Sequence, residues 1–281
     1  MRLDLPDTSS LTLGLGILSW HGYDSLRKAL ASYQQEQFFD LFDETLLFLP
    51  ECSDQGRAIG SEFSLHVKGT AQNLGIMGGF EAMAQAMTSD YVMLAENDFL
   101  LIVSHDAARM ALTHAMKNMM DGSANVYRFR HLDFPGQKFY LSKHMRYHPQ
   151  LGAGSQTRLM ATLRRCLRPI KARRLSGFAP YIYTDPEKRF PKDIKRTDAG
   201  DFLVSSHAIN WANNVFLINR RYFLDTIIPA AKAHIKGRLV NGFPTIETEL
   251  NRSGWWRDQN IWVGISNPGL FTHERLNDRG Y

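Results

Sequence analysis

Cysteine is nearly absent. Cys52 and Cys166 are the only two in 281 residues, without CxxC or Cys/His spacing, which excludes a disulfide framework and a structural zinc site. No run approaches the roughly 18 to 20 uninterrupted apolar residues of a membrane span. The opening MRLDLPDTSS carries acids where a signal peptide needs a basic and then an apolar stretch, so the expectation is a cytoplasmic chain. Repeats and low-complexity tracts are missing too. At 44% hydrophobic and 22% charged residues, the composition excludes disordered, collagen-like and coiled-coil chains.

The sharpest absence is of acids in one segment. Between Asp133 and Asp185 there is no Asp or Glu, while ten Lys and Arg fall within 51 residues. The overall charge is +5, so without those ten cations the remainder stands at −5. A uniformly basic nucleic-acid binder does not have this distribution. No recognised RNA or DNA module surrounds the segment, and nucleic acid is not expected as a partner.

What is present is apolar strand alternating with amphipathic helix. Residues 11–20 (LTLGLGILSW) form a Leu- and Ile-rich strand, His21-Gly22 turns the chain, and Asp24-Ser25 supplies an N-cap for a helix over about 25–35. Residues 45–50 (TLLFLP) form a second buried strand, followed by a polar loop over 51–56, and residues 64–68 form a third. The Gly-bearing turn 69–79 leads into a helix with Phe80, Met83, Ala84 and Met87 on one face. A fourth strand, 91–95 (YVMLA), stops abruptly at Glu96-Asn97-Asp98. A helix over 106–121 and a strand over 125–130 follow, and after the basic segment come a strand (213–219), helices (221–235 and 245–252) and a strand (261–266).

This alternation predicts an α/β fold: a mostly parallel central sheet with helices on both faces. In such sheets ligands bind outside the carboxyl ends of the strands, where loops converge and helix N-termini point inward. Ser19 to Gly22, Glu51 to Asp54, the 69–79 turn and Glu96 to Asp98 all lie at such ends. Four loops from one rim make a site. The Gly14-x-Gly16 pair does not mark a dinucleotide domain, because it lies inside the apolar run and Ser19 takes the place of the third glycine. No Gly-x-Ser-x-Gly is present to support acyl transfer.

The segments LGILSWHGYDSLRKALASY, GTAQNLGIMGGFEAMAQAM, DYVMLAENDFLLI and NVFLINRRYF, in this order and spacing, resemble the nucleotide-sugar-dependent glycosyltransferases of the GT-A fold, nearest the large family-2-like group. The resemblance covers about residues 11–130 well and 205–281 loosely. It implies a single domain: a nucleotide-sugar-binding half (1–130), a basic insertion (131–204) and an acceptor-side half (205–281). Glu96-Asn97-Asp98 resembles the family's Asp-x-Asp signature with Glu in the first place. By resemblance Asp98 ligates Mn²⁺ or Mg²⁺, with Glu96 contacting ribose or metal and His273 as a further ligand. A divalent cation suits a polyanionic diphosphate, and hard oxygen ligands suit that cation.

The same resemblance assigns Ser19, Trp20, Glu51, Asn73, Gly75 and Gly78 to the nucleotide, with a UDP-sugar favoured, and Glu247 or Glu249 to the catalytic base. Residues two apart on a helix point in different directions, so at most one of the two faces the site. The implied reaction is transfer, with inversion favoured, to a glycan or lipid-linked acceptor, as in bacterial surface-polysaccharide synthesis. A binding protein of this fold without turnover is the alternative. For residues 158–174, with Leu159, Leu163, Leu167 and Ile170 at helical spacing among cations and interrupted by Pro169, three readings stay open. They are a solvated loop over the site, nucleic-acid binding as the least favoured, and attachment to an anionic membrane or acidic acceptor, which places the chain peripherally on the cytoplasmic face.

Overall fold

The computed structural model describes residues 3, 10–136, 141–150, 152–235, 237 and 239–274. Its N-terminal half runs β1 (Leu13–Leu18), α1 (Tyr23–Gln35), β2 (Glu44–Leu49), α2 (Asp54–Glu62), β3 (His66–Gly69), α3 (Gly75–Ala86), β4 (Tyr91–Glu96), β5 (Phe99–Leu101), α4 (His105–Met120) and β6 (Val126–Arg128). Four helices follow, α5 (Leu141–Met145), α6 (Ser155–Leu167), α7 (Pro169–Ser176) and α8 (Pro186–Arg189), and then β7 (Ile194–Arg196) and β8 (Phe202–Ser205). The remainder is β9 (Phe216–Asn219), α9 (Arg220–Tyr222), α10 (Ile228–Ala233), α11 (Ile246–Ser253), α12 (Trp255–Asp258), β10 (Trp262–Ile265) and β11 (Phe271–His273).

Nine strands form one sheet in the order β3-β2-β1-β4-β9-β6-β10-β8-β7, and β5 pairs with β11 in a second, small one. Pairing directions make β9 and β8 the reversed members, while the other seven run the same way. Both faces are covered, so strand residues alternate between two cores. On β4, Val92 and Leu94 join the cluster beneath α3 and α11, and Met93 and Ala95 join the one beneath α1 and α4.

The glycines of β1 belong to this packing. A Cβ on Gly14 would come within 2.5 Å of Met87 Cε, and one on Gly16 within 2.9 Å of Met83 Sδ, so both let α3 lie close on the strand. Between α9 and α10 the helix widens into a π turn (Phe223–Ile227) just before Pro229. Proline has no N–H to donate and its ring crowds the carbonyl four residues back, and the wider turn relieves both.

Two local features depart from the sequence reading, and a third follows it. The 51–56 stretch is loop only to its N-cap, because Ser53 Oγ accepts from the Gly56 N–H at 3.1 Å and α2 begins there. Within the basic segment, residues 194–205 return to the main sheet as β7 and β8; Lys195 and Arg196 conceal β7 in the sequence because an edge strand tolerates exposed cations. Pro169 ends α6 and opens α7 at its first position, where a missing N–H costs nothing.

Candidate active site

The carboxyl ends of β1, β2, β4 and β6 form one rim, and two chambers open along it. The first, a cleft of about 110 Å³, is bounded by Leu18, Trp20, Pro50, Asn73, Gly75, Ile76, Glu96 and Asn97. On its other side lie Thr245 and the turn over Val240, Asn241 and Phe243. Trp20, Asn73, Gly75 and Glu96, assigned by resemblance to the nucleotide, thus surround one space.

Three other residues from that group stand elsewhere. Ser19 is buried, and its Oγ donates to the His21 carbonyl at 3.0 Å, shaping the loop from behind. Glu51 holds a left-handed backbone with φ 55 and accepts from Trp20 Nε1 at 2.9 Å, so it orients the indole and is not itself part of the cleft wall. Gly78 lies inside α3, where a Cβ would meet Leu74 at 2.9 Å; its smallness serves helix packing. Asn97, which the sequence reading passes over between its two acids, donates from Nδ2 to the carbonyls of His21 and Gly22 at 3.2 and 3.3 Å. It ties the β1 loop to the β4 loop.

At the entrance to α3, Asn73 Oδ1 accepts from the Gly75 N–H at 2.8 Å. Gly75 has φ +65, and a Cβ there would lie 2.4 Å from Phe243 Cβ. Both the backbone region and the contact require glycine.

Asp98 and His273 meet across the small sheet, where β5 pairs with β11. Nε2 of His273 lies 2.9 Å from Asp98 Oδ2, both residues are more than nine-tenths buried, and the imidazole stacks on Phe99 at 4.7 Å. Nδ1 of His273 has no hydrogen-bond partner among the described residues. The two side chains come from positions 98 and 273, and only the fold brings them together. Two ligands of one octahedral cation at roughly 2.1 Å stand about 3 Å apart in adjacent positions, so this pair fits a Mn²⁺ or Mg²⁺ ion. No group of three or more His, Cys, Asp or Glu is placed to hold an ion among the described residues. Glu96, the third ligand that the resemblance implies, does not join Asp98 and His273 in such a group and lies on the cleft wall.

The second chamber, about 470 Å³, contains Glu247. Thr245 caps α11, its Oγ1 accepting from the Thr248 N–H at 3.2 Å, and Glu247 follows in the first turn. Its Oε1 accepts from the Asn213 N–H at 2.6 Å. Burial raises the Glu247 carboxyl above its ordinary range, while that hydrogen bond and the Arg128 charge pull it back in part. Glu249 is 1% exposed and turned away: both its oxygens accept from the Gly237 N–H at 3.1 Å, so it does not face the chamber.

Opposite Glu247 are Arg128, Arg130, Lys143, Lys171 and Arg174. Arg128 and Arg130 share a face of the strand because side chains alternate, while Tyr127 and Phe129 turn into the core behind. Burial lowers the Arg128 guanidinium to about 10. Trp256 is buried and donates from Nε1 to the Ile209 carbonyl at 2.9 Å, and Lys195 sits over Trp262 at 4.2 Å.

Neither a protein-family model nor a curated protein matches the sequence. The fold is similar to S. aureus TarS 1-349 in complex with UDP-GlcNAc, with a TM-score of 0.51, 9% identity, and coverage of 96% of this chain and 60% of that one. It is likewise similar to S. aureus TarS 1-349 alone, with a TM-score of 0.50, 11% identity and coverage of 93% and 60%. The glucosyl-3-phosphoglycerate synthase from Mycobacterium tuberculosis in complex with Mn²⁺, uridine-diphosphate and phosphoglyceric acid aligns with a TM-score of 0.49 at 11% identity, over 95% of this chain and 72% of that one. The chain therefore spans 60% of the length of these two TarS 1-349 chains. At such identities the likeness to TarS is one of fold, and the chain has the GT-A fold, with a large, mainly parallel sheet clothed in helices.

Proposed function

We propose that the chain is a metal-dependent glycosyltransferase that moves a sugar from a UDP-sugar to an acceptor hydroxyl with inversion. The observation that carries this reading is the succession of residues from one chamber to the other: Phe243 and Thr245 bound the cleft, and Glu247, two residues further on, lines the second chamber. A donor in the first space and an acceptor in the second would meet at the start of α11. Trp20 and Asn73 hold the nucleotide, and Gly75 and Glu96 complete the cleft around it. Asp98 and His273 would hold Mn²⁺ or Mg²⁺, which would supply positive charge to offset that of the departing diphosphate.

Glu247 takes the proton of the acceptor hydroxyl as that oxygen bonds to the anomeric carbon, and the bond to the diphosphate breaks with its electron pair on UDP. A carboxyl raised by burial is a stronger base once ionised, and the N–H of Asn213 keeps it aimed. Location at the cytoplasmic face of an anionic membrane belongs to the same proposal. Leu159, Leu163, Leu167 and Ile170 are exposed on α6 and α7 among Arg158, Arg164 and Arg168, which suits a peripheral amphipathic contact. No helix among the described residues is long and apolar enough to cross a membrane.

The test combines binding and turnover. UDP-GlcNAc and UDP-glucose are expected to raise the melting temperature far more with Mn²⁺ than without, since a ligand at a hundred times its Kd adds about 2.7 kcal/mol to stability. Glu247→Gln should retain that shift and lose roughly 10²-fold in kcat for transfer or donor hydrolysis. Absence of any nucleotide-sugar shift, or an undiminished kcat in the variant, overturns the assignment.

A further inference from the structure

The second chamber holds more positive charge than deprotonation of a neutral alcohol needs. Its wall carries five cations and one carboxylate, and that carboxylate is the base itself. Arg128 is 6% exposed, yet its Nε has no hydrogen-bond partner among the described residues. Only its Nη2 is used, donating to the Asn210 carbonyl. Among the described residues neither Arg128 nor Arg174 has an ion-pair partner within salt-bridge distance. Glu247 acts on this buried charge from beyond ion-pair distance, and the planar fork of donors matches the oxygens of phosphate.

The cations also come from separate parts of the chain. Arg128 stands at the end of β6, Lys143 on α5, and Lys171 and Arg174 on α7. His144 and His148 dock α7 through its carbonyls: His144 Nδ1 donates to Leu175 at 2.8 Å and His148 Nε2 to Ala172 at 2.9 Å. A buried framework thus points this helix and its two cations at the chamber. A merely solvated basic segment would need no such docking.

We propose that this chamber binds a phosphate group carried by the acceptor, with the anion on Arg128, Lys171 and Arg174 and the acceptor's free hydroxyl toward Glu247. The word acceptor rests on the transferase reading, but the anion site itself does not. Phosphate and nucleotide should occupy separate chambers and bind together.

The probe is inorganic phosphate, titrated calorimetrically into the full chain with and without saturating UDP and Mg²⁺. Phosphate is expected to bind in both cases. The double variant Lys171→Gln/Arg174→Gln should weaken phosphate by about tenfold or more while UDP affinity stays the same. Arg128→Lys keeps the buried charge and removes the fork, and should weaken phosphate in the same direction. Competition between phosphate and UDP, or wild-type phosphate affinity in both variants, overturns the proposal. Loss of UDP binding in an otherwise phosphate-responsive protein removes the transferase reading and leaves the anion site standing.

Two further arms identify the source of the phosphate. Vesicles of phosphatidylcholine and phosphatidic acid that sediment with wild type but not with the double variant assign a lipid-borne phosphate. Displacement of inorganic phosphate by glycerol 3-phosphate, without vesicle binding, assigns a soluble one. Either result supports the site.

Discussion

The two chambers stand on one rim, yet they are held in place by different forces. Around the cleft, loops hang from β1, β2 and β4, whose side chains are buried in continuous apolar cores. The second chamber leans on α7, whose own apolar cluster is small, with Tyr147, Ala172 and Leu175 as its buried members. Histidine-to-carbonyl bonds and buried charges complete that side. An apolar core is indifferent to protonation, whereas a neutral buried histidine is not. The difference teaches that one half of the site should tolerate acid and the other should not.

The largest effect breaks the Asp98–His273 pair chemically while leaving the fold around it intact. Asp98→Asn keeps a hydrogen-bonding group opposite His273 but removes the charge a cation needs. Transfer should fall by roughly 10³-fold, and the Mn²⁺-dependent gain in melting temperature from UDP should vanish. Undiminished transfer in this variant, or in excess EDTA, would remove the metal from the reaction.

Acid should act on the other half. Burial lowers His144 to about 4 against an ordinary 6.5, and His148 shifts in the same direction for the same cause. Between those values the unfolded chain binds a proton at His144 and the folded chain does not. Stability is therefore complete above pH 6.5 and declines as the pH falls to 4, by roughly 3 kcal/mol for His144. Urea unfolding at pH 7 and pH 4.5 measures the loss, and His144→Asn should flatten the slope. UDP affinity at pH 5 should fall less than phosphate affinity, and a parallel decline of both would erase the contrast between the halves.

The smallest effect sharpens the picture of the cleft entrance. Gly75→Ala places a methyl at φ +65 and against Phe243, and should cost about 1–2 kcal/mol with weakened UDP binding. Gly154→Ala, with an unstrained backbone and nothing within 4 Å, is the matched control and should stay within about 0.5 kcal/mol. Equal melting temperatures for the two variants would show that Phe243 does not press on Gly75.

The contrast between the halves also decides what could be read in the sequence. β1, β4 and α3 are legible because their burial follows from local patterns: continuous apolar runs and a methionine-bearing helical face. The placement of Trp20, Asn73, Gly75 and Glu96 around one space follows from the strand-end rule, which needs no knowledge of distant contacts. α2 is hidden because Gly56 and Gly60 lower its helical signal, and its reason is close packing, since a Cβ on Gly60 would meet Val67 at 2.2 Å. Arg128 and Arg130 were visible in the alternation Val-Tyr-Arg-Phe-Arg, where two cations take one face of a strand and two aromatics the other. They lie just before the acid-free segment, and counting charge over that segment left them out. Glu247 and Glu249 look equivalent in sequence; only the backbone amides of Asn213 and Gly237 separate them. The meeting of Asp98 with His273 depends on the β5–β11 pairing, which local propensity does not encode.

The Asn-Gly turn at the mouth of the cleft joins the two chambers through the backbone. Val240 and Phe243 exchange backbone hydrogen bonds at 2.8 and 3.0 Å, with Asn241 at φ 50 and Gly242 at φ 82, a tight reversal whose Phe243 rests on Gly75. The space it leaves, about 110 Å³, is well below the roughly 300–1,000 Å³ of pockets that engulf a ligand. On the proposed function, a nucleotide sugar would need this turn to move outward to enter. The backbone of the turn continues within four residues through the Thr245 cap to Glu247. A displacement of the turn would therefore reach Glu247 through four residues of backbone.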